Sequence, residues 1–137
     1  MLIRIGLFLI MAFASSTLSS AEKDVDYPLD PDITFVISGH TEKAGDFRIV
    51  VINLGYEHVS SRVRLEWLET GPEQTVIIKK SVWLDEIGSG MLLVGMPVWS
   101  PGKQELSLSA THTYSMEHYK FRLIPLAPGQ YELKKIR

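Results

Sequence analysis

The chain has no cysteine among its 137 residues. Disulfides, thiolate metal sites, thiol redox chemistry and cysteine nucleophiles are excluded at once, as is a lipid anchor on a cysteine following a leader. It lacks a strong charge of either sign: 14 Lys and Arg stand against 16 Asp and Glu, a formal net charge of −2. A nucleic-acid binder needs a basic excess, so that class is not expected. No apolar run approaches the roughly 20 residues that cross a bilayer. No segment beyond residue 21 shows a sustained helical period either.

The longest apolar run is at the start. Arg4 precedes Ile5–Ala14, and a small-residue stretch then closes on Ser19-Ser20-Ala21. A basic residue, an apolar run of about ten residues and small side chains at the −3 and −1 positions make a cleavable export signal. The expected organisation is a signal peptide over 1–21, an acidic arm over 22–32 and a β-sandwich domain over 33–137. Cleavage removes Arg4 and leaves the mature chain slightly more acidic. Export without disulfides leaves packing as the source of stability, and a bacterial periplasm, or secretion beyond it, is the expected location.

The arm reads Glu-Lys-Asp-Val-Asp-Tyr-Pro-Leu-Asp-Pro-Asp. Its two prolines bias it to extended geometry. Asp24, Asp26, Asp30 and Asp32 do not make an EF-hand loop, which needs Gly at the sixth and Glu at the twelfth position. A solvated leader arm is the expectation.

Short β-rich runs separated by turns follow. Ile33–Ser38 reads as a strand, and Phe47–Leu54 as one covered on both faces. Arg62–Trp67 alternates strictly: Val63, Leu65 and Trp67 point one way and Arg62, Arg64 and Glu66 the other. Thr70-Gly71-Pro72-Glu73 turns the chain into Thr75–Val82. Met91–Trp99 reads as one long apolar run, Lys103–Ala110 and the segment around Tyr119–Leu123 alternate again, and Pro128-Gly129 leads into Tyr131–Ile136. About eight strands at this spacing predict a single antiparallel β-sandwich of immunoglobulin-like topology. Pro-Gly at 101–102 and 128–129 gives a weak internal echo, which two similar hairpin turns explain without duplication.

No Gly-x-Ser-x-Gly elbow and no His-Glu-x-x-His pair is present, so an enzyme is not expected. No cofactor is implied. Three features remain. Arg62, Arg64 and Lys79, with Lys80, form a basic strip that the Gly71-Pro72 hairpin would bring together; Glu66 or Glu69 could balance it. Trp67, Trp83 and Trp99 recur at constant spacing. Trp67 belongs to the core by its strand face, while Trp99, between Pro97 and Pro101, is expected to be exposed. Arg62, Arg64, Lys79 and Trp99 are therefore the candidate partner-binding residues. Finally, His112, Met116 and His118 would share a face if the segment were extended, and imidazole with thioether suits copper. A connecting loop is expected there instead, so a periplasmic copper-binding protein stands as the alternative reading.

In overall pattern the chain resembles the small immunoglobulin-like accessory proteins of bacterial envelopes, such as pilus or curli assembly factors. The resemblance is architectural. It implies an exported, non-catalytic domain that docks a protein partner in the envelope or in surface-fibre assembly through edge strands and loops.

Overall fold

The computed structural model of the chain describes residues 32–136. The leader and all of the acidic arm except Asp32 lie outside the described residues, as does Arg137. Among the described residues the chain is built mostly of strands in two antiparallel sheets.

The first sheet holds β1 (Ile33–Thr41), β2 (Gly45–Leu54), β3 (Ser60–Thr70) and β4 (Val76–Trp83), side by side in chain order. The second holds β5 (Leu92–Val94), β6 (Val98–Ser100), β7 (Glu105–His112), β8 (His118–Pro125) and β9 (Tyr131–Lys135). There β8 pairs with β7 on one side and β9 on the other, while β5 and β6 follow one another down the remaining edge of β7. The run Met91–Trp99 is thus two strands, not one. Gly95-Met96-Pro97 separates them, and Pro97 has no N–H to give the ladder.

Each sheet is a meander of consecutive strands. Immunoglobulin topology instead passes strands from one sheet to the other along the chain, and no such exchange occurs among the described residues. A meander needs only short hairpin turns, and the turn signals at Gly45, Gly71-Pro72 and Pro128-Gly129 supply them. Gly45 and Gly129 adopt φ of 69° and 85°, where a side chain would be strained.

Period two sorts the side chains. Phe47, Ile49 and Val51 of β2 and Val63, Leu65 and Trp67 of β3 face inward, and each is at most 1% exposed. They meet Leu92, Val94, Leu106, Leu108, Ala110, Phe121 and Leu123 of the second sheet in one continuous core. The Trp67 indole N–H also donates to the Leu126 carbonyl at 2.7 Å, tying β3 to the β8–β9 turn. Deleting an aromatic side chain so placed costs about 3–5 kcal/mol in comparable cores. Trp99 of β6 is half-buried rather than exposed. Its ring meets Phe47 edge-on at 5.4 Å, so the flanking prolines frame a core-covering strand and not a projecting loop.

One end of the core is closed by a feature without a sequence signal. Asp85 and Glu86 begin a single helical turn, α1 (Asp85–Gly88), and set Leu84 and Ile87 into the core. The sheets are also tied by a buried hydroxyl. Ser61 of β3 donates to Asn53 Oδ1 at 2.6 Å and accepts from the Val94 amide of β5 at 2.8 Å.

Candidate functional site

The first sheet turns an unusual face outward. The positions opposite its core residues carry Arg48, Val50 and Ile52 on β2, Arg62, Arg64 and Glu66 on β3, and Trp83 at the end of β4. Register sets Arg48 beside Glu66, Val50 beside Arg64 and Ile52 beside Arg62. Glu66 is fully buried although it points away from the core. Arg48 covers it from one side, with Nε donating to Oε2 at 2.6 Å. Arg64 covers it from the other, with Nε 2.7 Å from Oε1. That second contact lies off the hydrogen-bond line and acts as charge attraction. One carboxylate thus balances two guanidinium groups, and the sequence had put Glu66 among the acids that could do so.

Arg62 is held differently. Its guanidinium lies over the Trp83 ring at 4.3 Å, with the Arg64 guanidinium 5.2 Å from the same ring. Such stacking orders a cation while leaving it open to an anion. Among the described residues Arg62 forms no ion pair with a carboxylate.

Beside this face runs the outer edge of β4, which among the described residues pairs with β3 alone. Every residue from Val76 to Ser81 is exposed. Val76, Ile77 and Ile78 are 66%, 40% and 47% exposed, three β-branched residues in succession. The neighbouring tip of β3, Glu69 and Thr70, is exposed as well. The β3–β4 register shifts between Trp67 and Leu68, where Lys80 pairs with Trp67 and Ile78 with Leu68. Lys79 is the extra residue of that bulge. Lys80 lays its alkyl stem toward Gly129 of the β8–β9 turn, keeping its charge in water.

The residues singled out in the sequence separate accordingly. Arg62 and Arg64 lie on the outward face of β3, and Lys79 lies on the adjacent strand β4, at the bulge. The two strips are not opposite one another, however, because register places Trp83, not a lysine, beside Arg64. Trp99 lies on the second sheet and is no part of this surface. Sequence reasoning passed over Val76, Ile77 and Ile78. Their signal was a short apolar run next to two lysines, which fits neither a half-buried strand nor one buried on both faces.

His112, Met116 and His118 do not share a face. The chain reverses between β7 and β8, with the Met116 amide bonded to the His112 carbonyl at 2.9 Å and the His112 amide to the Glu117 carbonyl at 2.8 Å. Met116 takes a φ of 59° to make the turn. His112 continues the inward face of β7, and its Nδ1 accepts the Ser115 amide at 3.1 Å. His118 points to the opposite side of the sheet, bonded to Thr111 Oγ1 at 3.0 Å. Each lines a different concavity, of about 420 Å³ for His112 and about 890 Å³ for His118. Among the described residues no three His, Asp or Glu side chains converge as metal ligands.

Two tyrosines are held by carboxylates at the α1 end. Burial, and then the hydrogen bond to Glu86, push the Tyr131 phenol up to about 12. The bond from Tyr119 to Glu117 raises the Tyr119 phenol as well.

No protein-family model, no curated protein and no solved structure matches the chain. The surface just described is therefore the basis for a functional reading.

Proposed function

We propose that the mature chain is an exported, non-catalytic binding module of the bacterial envelope that takes up an extended segment of a protein partner as an added strand on β4. The observation that carries this reading is β4 itself: one side unpaired among the described residues, Val76–Ser81 exposed, and three consecutive apolar β-branched residues within it. A free edge presents a row of N–H and C=O groups that template another strand, and proteins ordinarily blunt such an edge with charge or cover it. Here Lys79 and Lys80 follow the apolar residues without interrupting them. Backbone bonds would supply affinity, and the pattern of side chains along the edge would supply selectivity. Arg62, stacked on Trp83, offers a fixed cation at one end of the same strand. Export rests on Arg4, the Ile5–Ala14 run and the Ser19/Ala21 site.

Site-specific photo-crosslinking in the producing cell tests it. A crosslinker at Lys79 should capture a discrete envelope protein, and Ile78→Asp should abolish the adduct while leaving the fold intact by circular dichroism. A crosslinker at Tyr56, fully exposed in the β2–β3 connection, is the control. Adducts from Tyr56 alone, or capture indifferent to Ile78→Asp, would overturn the reading.

A further inference from the structure

We infer that the strand received by β4 is the acidic arm, residues 22–31, supplied by a second copy of the chain. The inference rests on the strand-accepting role of β4 given above and names its occupant.

The arm has the pattern of a strand. Asp24, Asp26 and Asp30 alternate with Val25, Tyr27 and Leu29, so an extended arm carries carboxylates on one face and apolar groups on the other. The edge it would meet is complementary: Val76, Ile77 and Ile78 at one end, Lys79 and Lys80 in the middle, and the Arg62 and Arg64 guanidinium groups over Trp83 at the other. Its prolines also fit. Pro28 shares its parity with the aspartates, so pairing through the amides of Val25, Tyr27 and Leu29 turns the missing N–H of Pro28 away from β4. Pro31 has the pairing parity and would end the ladder there.

Reach decides between the chain's own arm and that of a neighbour. Asp32 is fixed by the bond from the Asn53 amide to its carbonyl at 3.0 Å, and β1 and β4 are opposite edges of the sheet. A strand added outside β4 lies four strand spacings from β1, about 19 Å away, and pairing along the whole of β4 takes about 26 Å more of chain. An arm of roughly ten residues spans at most about 33–36 Å. The chain leaves at the Trp83 end, so its own arm, once across the sheet, has too few residues left to pair along β4 as far as Val76. The arm of a second copy has no such limit. Pairing β4 with β4 of a second copy is disfavoured, because the full-length antiparallel register sets Lys79 against the partner's Lys80, and like charges directly opposed are destabilising. Arm-on-edge contact is heterologous: each copy gives one arm and offers one edge, which builds head-to-tail chains or a closed ring.

The test is sedimentation velocity of the mature protein over a range of concentrations and salt. Association should rise with concentration and weaken with salt. An arm-swapped variant (Asp24→Lys, Asp26→Lys, Asp30→Lys) and an edge-swapped variant (Lys79→Glu, Lys80→Glu) should each lose it by tenfold or more in apparent affinity, and mixing the two should restore it. A monomer at every concentration, or association indifferent to both swaps, overturns the inference. So does a loss confined to the edge-swapped protein, which marks β4-to-β4 pairing. A protein that stays monomeric while Lys79 still crosslinks to another envelope protein removes the arm as occupant and leaves β4 as a strand acceptor. Loss of both results removes the two together.

Discussion

Tyr131 and Glu86 meet where α1 closes the core, with the phenol donating to the carboxylate at 3.0 Å. Burial is the main reason the phenol is pushed up to about 12, with the hydrogen bond and the charges of Glu86 and Asp85 adding to it. An unfolded tyrosine releases its proton near pH 10. Between about pH 10 and 12 the folded chain keeps a proton that the unfolded chain has lost, so this contribution to stability is whole below pH 10 and disappears as pH rises through 12. Urea unfolding of wild type should show a midpoint that falls over that range, and Tyr131→Phe should flatten the fall. Equal slopes in the two proteins would show that the phenol does not carry it. Neither Tyr131 nor its partner was legible in the sequence, since they lie far apart in the chain and met only through α1. Trp67 was legible, because strict alternation from Arg62 fixes its face whatever the strand order. Trp99 was not: its prolines signalled a turn, and only the partner ring of Phe47 shows that β6 covers the core. Glu66 was legible as a partner of Arg64 two residues away, while Arg48, brought in by cross-strand register, was not.

Elements were easier to read than their order. Period two, the continuous apolar run of β2 and the β-branched run of β4 located β1, β2, β3, β4, β7, β8 and β9 to within a few residues. The apolar run before Pro97 misled, since hydrophobicity alone does not show where a ladder breaks. The His112–Glu117 turn was expected as a connection, but not its sharpness, which sends His112 and His118 to opposite faces. The meander order was hidden because turn residues fix that a chain reverses, not which sheet it enters. What joins the sheets in that order is in part Ser61, fully buried between Asn53 and the amide of Val94. Ser61→Ala leaves a buried amide without its acceptor and a carboxamide oxygen without its donor, and should cost about 1–3 kcal/mol. Denaturant unfolding measures it. A loss under about 0.5 kcal/mol would mean that the two groups find other partners and that the hydroxyl is not what ties β3 to β5.

For the whole molecule, the absence of cysteine and the single continuous core describe a domain held by packing, with its least protected feature at one edge of one sheet. Among the described residues no helix is long and apolar enough to cross a membrane. The leader and the free edge bear on each other. A strand edge left unpaired among the described residues and carrying three exposed β-branched residues is an aggregation hazard in a crowded compartment, which the proposed export would defer until the chain has left the cytoplasm. On the proposed export, cleavage behind Ala21 would free the Asp24–Leu29 alternation from the apolar run that precedes it as the domain leaves the cytoplasm. Mass spectrometry of protein recovered from the envelope fraction should therefore find Glu22 as the N-terminal residue. Ala21→Arg, which places a bulky charged side chain at the −1 position, should leave the precursor uncut. Recovery of soluble cytoplasmic protein with an intact Met1 would remove the export reading, and with it the argument that the arm is released in the compartment where β4 is exposed.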